Sequence, residues 1–342
     1  MQQHGAADLH SQRQVAASTS RAGSAQPHAV NPLPLGLARV NLTVVMCVLL
    51  FLFLYSVDVL LIIVPWLNYS VPGATNMCIL TASTVFGLHC YFFCVLLDPG
   101  GVPDDWVPDP EQAALEVKKK GGARICQKCQ RAKPPRTHHC RVCKRCITRM
   151  DHHCPWTNNC IGHGNYRAFL LCLLYVGAAL VHTVGLIVAH VLHTLETSQD
   201  QRVLRTGPQG TAVQLHPQGE AVQLQDSWLG SLWLWALLET IAFMIALPLA
   251  VGIILLLAWH VHLIITNKTT IEYQEGVNAS EAAFDGKFTY VHPYDVGLLN
   301  NSHEILGHDL TTWCAPPCAP TPGGLYYPTV WDEPVEGVRK RG

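Results

Sequence analysis

The chain has 342 residues, of which 49% are hydrophobic and 14% charged. That is more apolar and less charged than an average soluble domain, and it points to an α-helical integral membrane protein. The formal net charge of -1 gives no general case for nucleic-acid binding, although 13 of the 23 Lys and Arg fall between Lys118 and Arg167.

Residues 1–38 are rich in Ser, Gln, Ala and Pro without apolar periodicity and read as a disordered cytosolic tail; nothing in them resembles a targeting peptide. Four apolar runs then reach the roughly 20 residues needed to cross a bilayer, at 42–65, 76–97, 168–192 and 238–263. They divide the chain into residues 39–97 (spans one and two), 98–167 (a cysteine-rich segment), 168–266 (spans three and four with a lumenal loop over 193–237) and 267–342 (a C-terminal segment). The linker "PWLNYSVPGATN" is uncharged and short, so the sequon at Asn68 reads as a surface turn close to the membrane. After span two, "DPGG" stops the helix.

Two arguments place 98–167 in the cytosol. It is basic, as the positive-inside tendency requires, though its length slightly exceeds the loops for which that tendency is most reliable. Its many thiols also suit a reducing compartment better than a disulfide-forming one. Both termini are then cytosolic, and Trp228, Trp233 and Trp235 suit a lumenal interfacial belt.

Between Cys126 and Cys160 stand seven cysteines and four histidines. Shifting this stretch by 14 residues lays Cys126 on Cys140, Cys129 on Cys143, His138 on His152, His139 on His153 and Cys146 on Cys160. Two copies of C-x2-C-x9-H-x6-C therefore interleave. The first supplies Cys126, Cys129, His139 and Cys146; the second supplies Cys140, Cys143, His153 and Cys160. Each is a Cys3His set suited to one structural Zn2+, with no open position for substrate. A third copy starting at Cys154 meets Thr157 where a cysteine is needed. Cys154, His152 and His138 are left outside the metal sets, and two of the three adjoin Asp151.

The run Asp151-His152-His153-Cys154, in such a segment and flanked by two pairs of spans, resembles the DHHC family of protein S-acyltransferases. The likeness covers about 42–307 and includes Asp98-Pro99-Gly100 after span two, Thr269-Thr270-Ile271-Glu272 after span four, and "HPYDVGLLNNSHEILG" with Asn301 at the family's asparagine. It implies a palmitoyltransferase: Cys154 attacks a fatty acyl-CoA, most often palmitoyl-CoA, and passes the acyl group to cysteines of cytosolic or membrane protein substrates. His152 would take the thiol proton and Asp151 would hold the imidazole, the logic of a Cys, His and acid triad. Arg124, Lys133 and Arg136 match basic positions that contact CoA phosphates in the family; a solvated face or attraction to anionic lipid explains them equally well. Thr270 would hydrogen-bond near Asp151, or simply cap the chain after span four. Asn301 would secure the C-terminal segment or occupy a turn. Golgi or ER is the family-level expectation for the compartment, with the plasma membrane as the other option.

Several residues stay outside this scheme. Asp58 and Glu239 lie near span ends, where snorkelling to the interface would accommodate them, and His182, His190 and His193 would be solvated near the lumen. "YVGAAL" over 175–180 would permit close helix packing. Cys314 and Cys318 lack histidines for a third metal, and the C-terminal "KRG" is not a prenylation signal. Three other readings compete. An idle zinc scaffold has no need of an uncoordinated thiol beside His152 and Asp151. Groove reading of nucleic acid needs a helix that this tethered loop lacks. Thiol-disulfide chemistry loses its CxxC pairs to metal.

Overall fold

A computed structural model describes residues 40–108, 124–206, 226–275, 292–317, 319, 321, 323–330 and 332. The N-terminal tail, Lys118 to Lys120 and Cys318 lie outside them. The backbone is built from helix α1 (Leu42–Val57), which continues as a π-helix over Asp58–Leu67, and α2 (Val71–Leu96). Three short hairpins follow: β1 (Ile125–Cys126) with β2 (Arg131–Ala132), β3 (His138–Cys140) with β4 (Arg145–Ile147), and β5 (His152–Cys154) with β6 (Asn159–Ile161). Helices α3 (Tyr166–Thr206), α4 (Asp226–Ile265), α5 (Thr270–Glu275) and α6 (Leu298–Leu306) complete the order. Four helical segments are long and apolar enough to cross a membrane: Leu42–Leu67, Val71–Leu96, Tyr166–Ser198 and Trp233–Ile265.

The spans differ from the sequence expectation at their ends, for local reasons. Pro65 has no N–H to return to the preceding turn, and α1 widens into π geometry through Leu67, closed by Asn68 N donating to the Ile63 carbonyl at 2.9 Å. Helix α2 starts at Val71 because the Ser70 side chain accepts from Gly73 N and Pro72 sits in the first turn, where its missing N–H costs nothing. A Cβ on Gly73 would lie 2.1 Å from the Asn68 carbonyl, so only glycine lets the two helices meet in so tight a turn. Helix α3 runs on to Thr206 and α4 begins at Asp226, so much of the expected loop 193–237 is helical.

In the bundle, α2 packs on α3 and α3 on α4. Small residues set the spacing: Cβ atoms on Gly87 and Gly177 would meet Val176 at 3.3 Å and Ile253 at 3.4 Å. Asp58 and Glu239 do not snorkel. Asp58 is fully buried and accepts from the Thr183 hydroxyl at 2.5 Å, while Glu239 accepts from or shares a proton with His190 Nδ1 at 3.2 Å. A buried carboxyl with a partner on the next helix is less costly than one dragged past apolar neighbours to water. His190 and His193 both lie against the Trp66 ring, His190 half-buried and His193 exposed.

The cysteine-rich segment sits on the end of α2. Asp98 forms a two-pronged ion pair with Arg145, at 2.5 and 3.0 Å, and accepts from Gly100 N. Gly100 adopts φ +109, and Thr148 N and Gly164 N donate to the carbonyls of Gly100 and Pro99. A Cβ on Gly164 would stand 2.5 Å from the Asp98 carbonyl. Asn159 Nδ2 donates to the carbonyls of Cys94 and Leu97, satisfying the exposed end of α2.

Candidate active site

The three hairpins repeat one design. Cys126 faces Arg131, Cys140 faces Arg145 and Cys154 faces Asn159 in the same register. The left-handed residue that closes each loop recurs at the same spacing as the cysteines: Gln130 (φ 55), Lys144 (φ 54) and Asn158 (φ 49). In the first two hairpins the backbone turns an N–H onto sulfur, from Cys129 to Cys126 Sγ at 3.4 Å and from Cys143 to Cys140 Sγ at 3.3 Å.

These turns gather two four-donor clusters, Cys126, Cys129, His139, Cys146 and Cys140, Cys143, His153, Cys160. In the first, His139 Nδ1 lies 3.6, 3.2 and 4.0 Å from the three sulfurs; in the second, His153 Nδ1 lies 3.7, 3.5 and 3.6 Å from them. A tetrahedral zinc with Zn–S of about 2.3 Å and Zn–N of about 2.1 Å needs edges of about 3.6 to 3.8 Å. The donor sets fit that ion. Each cluster bridges two hairpins, so a metal in either would staple neighbouring turns together.

Cys154 heads the third hairpin, and Thr157 occupies the place of the second ligand, so this cysteine belongs to neither cluster. It is 6% exposed and packs in an apolar group with Cys94, Phe169, Leu173 and Ile264 at the junction of the hairpins with α2, α3 and α4. His152 Nδ1 hydrogen-bonds Asp151 Oδ2 at 2.7 Å. Although Asp151, His152 and His260 lie within 4.8 Å of one another, that 2.7 Å separation is a shared proton and not the edge of about 3.3 Å that a tetrahedral metal would impose. His153 points away, into the second cluster, so the residues on either side of it share one space.

Electrostatics follow from these contacts. Burial opposes charge on all three groups, and their mutual hydrogen bonds overcome it. Burial would lower the His152 imidazole, but its bonds to Asp151 and Cys154 raise it to about 9. Burial would raise Cys154, yet His152 and the Thr157 hydroxyl and N–H hold the thiol below its usual value. Asp151 is likewise held below the ordinary carboxylate range, by His152 above all once burial is overcome. Both shifts run toward the charged forms, and the thiolate is the reactive form of cysteine.

Asp151 is fixed from the C-terminal side. Thr270 N donates to Oδ1 at 2.8 Å and Thr270 Oγ1 to Oδ2 at 2.9 Å. The sequence explains why: Thr269-Thr270-Ile271-Glu272 forms a capping box, with Glu272 N donating to Thr269 Oγ1 at 3.1 Å and Thr269 N to Glu272 Oε2 at 2.9 Å. The first turn of α5 thereby presents the Thr270 N–H to the carboxylate. Asn301, fully buried, donates to the Ile265 carbonyl and to Asp295 and accepts from Val296 N, tying α6 to the end of α4.

Arg136 departs from the phosphate-binding role expected of it. It is 1% exposed, and its five N–H groups go to Glu272, Asn267 and Glu304, with Tyr294 and Tyr327 over its plane at 4.5 and 5.1 Å. This guanidinium anchors α5 and the C-terminal segment instead. Arg124 and Lys133 stay at the first hairpin, only partly exposed, with Lys133 N donating to the Arg124 carbonyl at 2.7 Å. Beside them is His138, which faces Ile147 as His152 faces Ile161. Burial first, then Arg124 and Lys133, keep His138 neutral down to about 4. Tyr327 and His260 carried no signal in the sequence, and Tyr294 only its place in the quoted C-terminal segment; their contacts with Arg136 and Tyr166 come from distant segments.

The comparisons bear on the same residues. A family model described as DHHC palmitoyltransferase matches residues 119–277, which contain all three hairpins and the capping box. The chain is 37% identical over 297 residues to probable protein S-acyltransferase 16 of Arabidopsis thaliana, covering 85% of this chain and 94% of that protein. It is 33% identical over 265 residues to probable protein S-acyltransferase 15 of the same plant, covering 77% and 92%. Palmitoyltransferase PFA4 of Mycosarcoma maydis shares 34% over 248 residues, covering 66% of this chain and 46% of that protein. With a sequence likeness running from the spans through the unligated cysteine to the C-terminal segment, the chain belongs to the DHHC palmitoyltransferase family and is a multi-pass protein S-palmitoyltransferase.

Proposed function

We propose that Cys154 is the nucleophile of a two-step transfer from a long-chain acyl-CoA. Its thiolate attacks the thioester carbonyl, the new Cys154 thioester forms, and the bond to CoA breaks; the departing CoA thiolate takes the proton that His152 holds. In the second step a protein substrate's cysteine gives its proton to His152 and attacks the acyl-enzyme, and Cys154 leaves again as a thiolate. Asp151 fixes the tautomer and orientation of His152 through Nδ1. The free-energy change of thioester exchange is small, so alignment and exclusion of water matter most. The observation that carries this reading is the position of Cys154 outside both metal clusters and beside a hydrogen-bonded His and Asp.

The two clusters are read as structural zinc sites. With four protein donors each, the ions would hold the hairpins and supply no chemistry. The acyl chain would lie among the apolar residues of α2, α3 and α4 below Cys154, where each buried CH2 contributes about 0.8 kcal/mol. Arg124 and Lys133 would meet the CoA phosphates. The hairpins face the cytosol in this reading, and the membrane is the Golgi or ER. The protein is purified in detergent and incubated with labelled palmitoyl-CoA. Hydroxylamine-labile label is expected on the wild type and absent from Cys154→Ser, which keeps two zinc ions per chain. Label on the serine variant, or a zinc lost with the thiol, would overturn the assignment.

A further inference from the structure

A second histidine lies behind the catalytic pair, on the membrane side. His260 belongs to the last turns of α4 and is 1% exposed. It offers a ring nitrogen within 4.8 Å of the Asp151 carboxylate and of a His152 nitrogen. Its Nδ1 is 3.0 Å from the hydroxyl of Tyr166, itself 1% exposed at the start of α3. The Tyr166 ring is in turn covered by the Arg149 guanidinium at 4.9 Å. Phe169 joins the two histidines, meeting His260 edge-on at 4.9 Å and His152 at 5.2 Å, and the two imidazoles are 6.1 Å apart.

An apolar side chain would fill this space without the cost of burying an imidazole in a membrane helix. The polar ring is held in one orientation by Tyr166. When that hydroxyl donates to Nδ1, the single proton of the neutral ring resides on Nε2, and the ring so oriented stands beside the Asp151–His152 pair. The pair is secured from the cytosolic side by Thr270, but only Phe169 and His260 bound the His152 ring on the side of the spans among the contacts described. We propose that His260, oriented by Tyr166, is a positioning residue for acyl transfer: it keeps the Asp151–His152 pair aligned with Cys154 while the proton leaves and returns. This rests on Cys154 being the acylated residue, and it adds a polar contribution from spans three and four to a catalytic pair whose other described hydrogen bonds come from the hairpins and α5.

Single-turnover acylation of the purified full chain by palmitoyl-CoA tests it, once wild-type label has been mapped to Cys154. His260→Phe keeps the ring volume and removes both nitrogens. The maximal acylation rate is expected to fall about 10- to 100-fold, the scale of a small misalignment. The half-saturating palmitoyl-CoA concentration, two bound zinc ions and the thermal midpoint should stay at wild-type values. Tyr166→Phe should lower the rate less, and His260→Gln, which retains an N–H donor, should restore part of it. A wild-type rate in His260→Phe would overturn the proposal, as would a loss that only tracks the folded, zinc-loaded fraction. Should His260→Phe fail to fold, Tyr166→Phe decides by the same two criteria. Wild-type label found elsewhere than Cys154 would sink the nucleophile assignment instead, a result these variants cannot imitate.

Discussion

Replacing Glu272 by Gln should weaken both the fold and the catalytic pair, and the structure sets the size of the effect. Glu272 accepts two hydrogen bonds from Arg136 at 2.8 Å each and one from Thr269 N at 2.9 Å. Arg136 has no exposed side-chain surface and Glu272 only 5%. Burial would raise the Glu272 carboxyl, but Arg136 more than offsets it and holds the group at about 2, against an ordinary 4.5. A depressed carboxylate contributes stability that is complete above the unfolded value and is lost as pH falls through the folded one. The difference corresponds to about 3 kcal/mol at neutral pH. That agrees with the roughly 3–5 kcal/mol for breaking a buried pair from one side. Glu304, 3.2 Å from Arg136, recovers some of it. Thermal unfolding in detergent should therefore shift downward by several degrees. Because Glu272 caps α5 and α5 holds Asp151, acylation of Cys154 should slow as well, with zinc content unchanged. A variant as stable as wild type, with the same acylation rate, would refute the claim that this buried charge pair supports the site.

Four further outcomes are expected. As pH falls from about 4.5 toward 2, protonation of Glu272 should release the C-terminal segment, read as faster proteolysis beyond α4 than at neutral pH. Gly164→Ala places a Cβ against the Asp98 carbonyl and should lower the thermal midpoint more than Gly185→Ala, whose Cβ meets nothing within 4 Å. His153→Ala should lose one zinc and with it the fold of the second and third hairpins, measured as metal content and protease resistance. Arg124→Glu with Lys133→Glu should raise the half-saturating palmitoyl-CoA concentration and flatten its salt dependence, while Cys154 remains reactive toward a small thiol reagent.

The motifs were readable because they are local. A 14-residue repeat of metal ligands, four apolar runs, a threonine three places before a glutamate, and a cysteine without metal partners need no tertiary knowledge to be seen. The short spacing of the ligands also dictates which donors can share an ion, and the repeat leaves Cys154 over. The fate of single charged residues depended on what the rest of the chain brought to them. Arg136 looked as available as Arg124 in the sequence, but α5, α6 and the tyrosines at 294 and 327 close around it and withdraw it from any ligand. Asp58 looked able to reach water, but α3 supplies Thr183 and buries it. His260 had no reading at all until α4 and Tyr166 set it beside His152. Ligand spacing and hydropathy are properties of contiguous chain, whereas burial and the pairing of charge arise only when remote segments exclude water together.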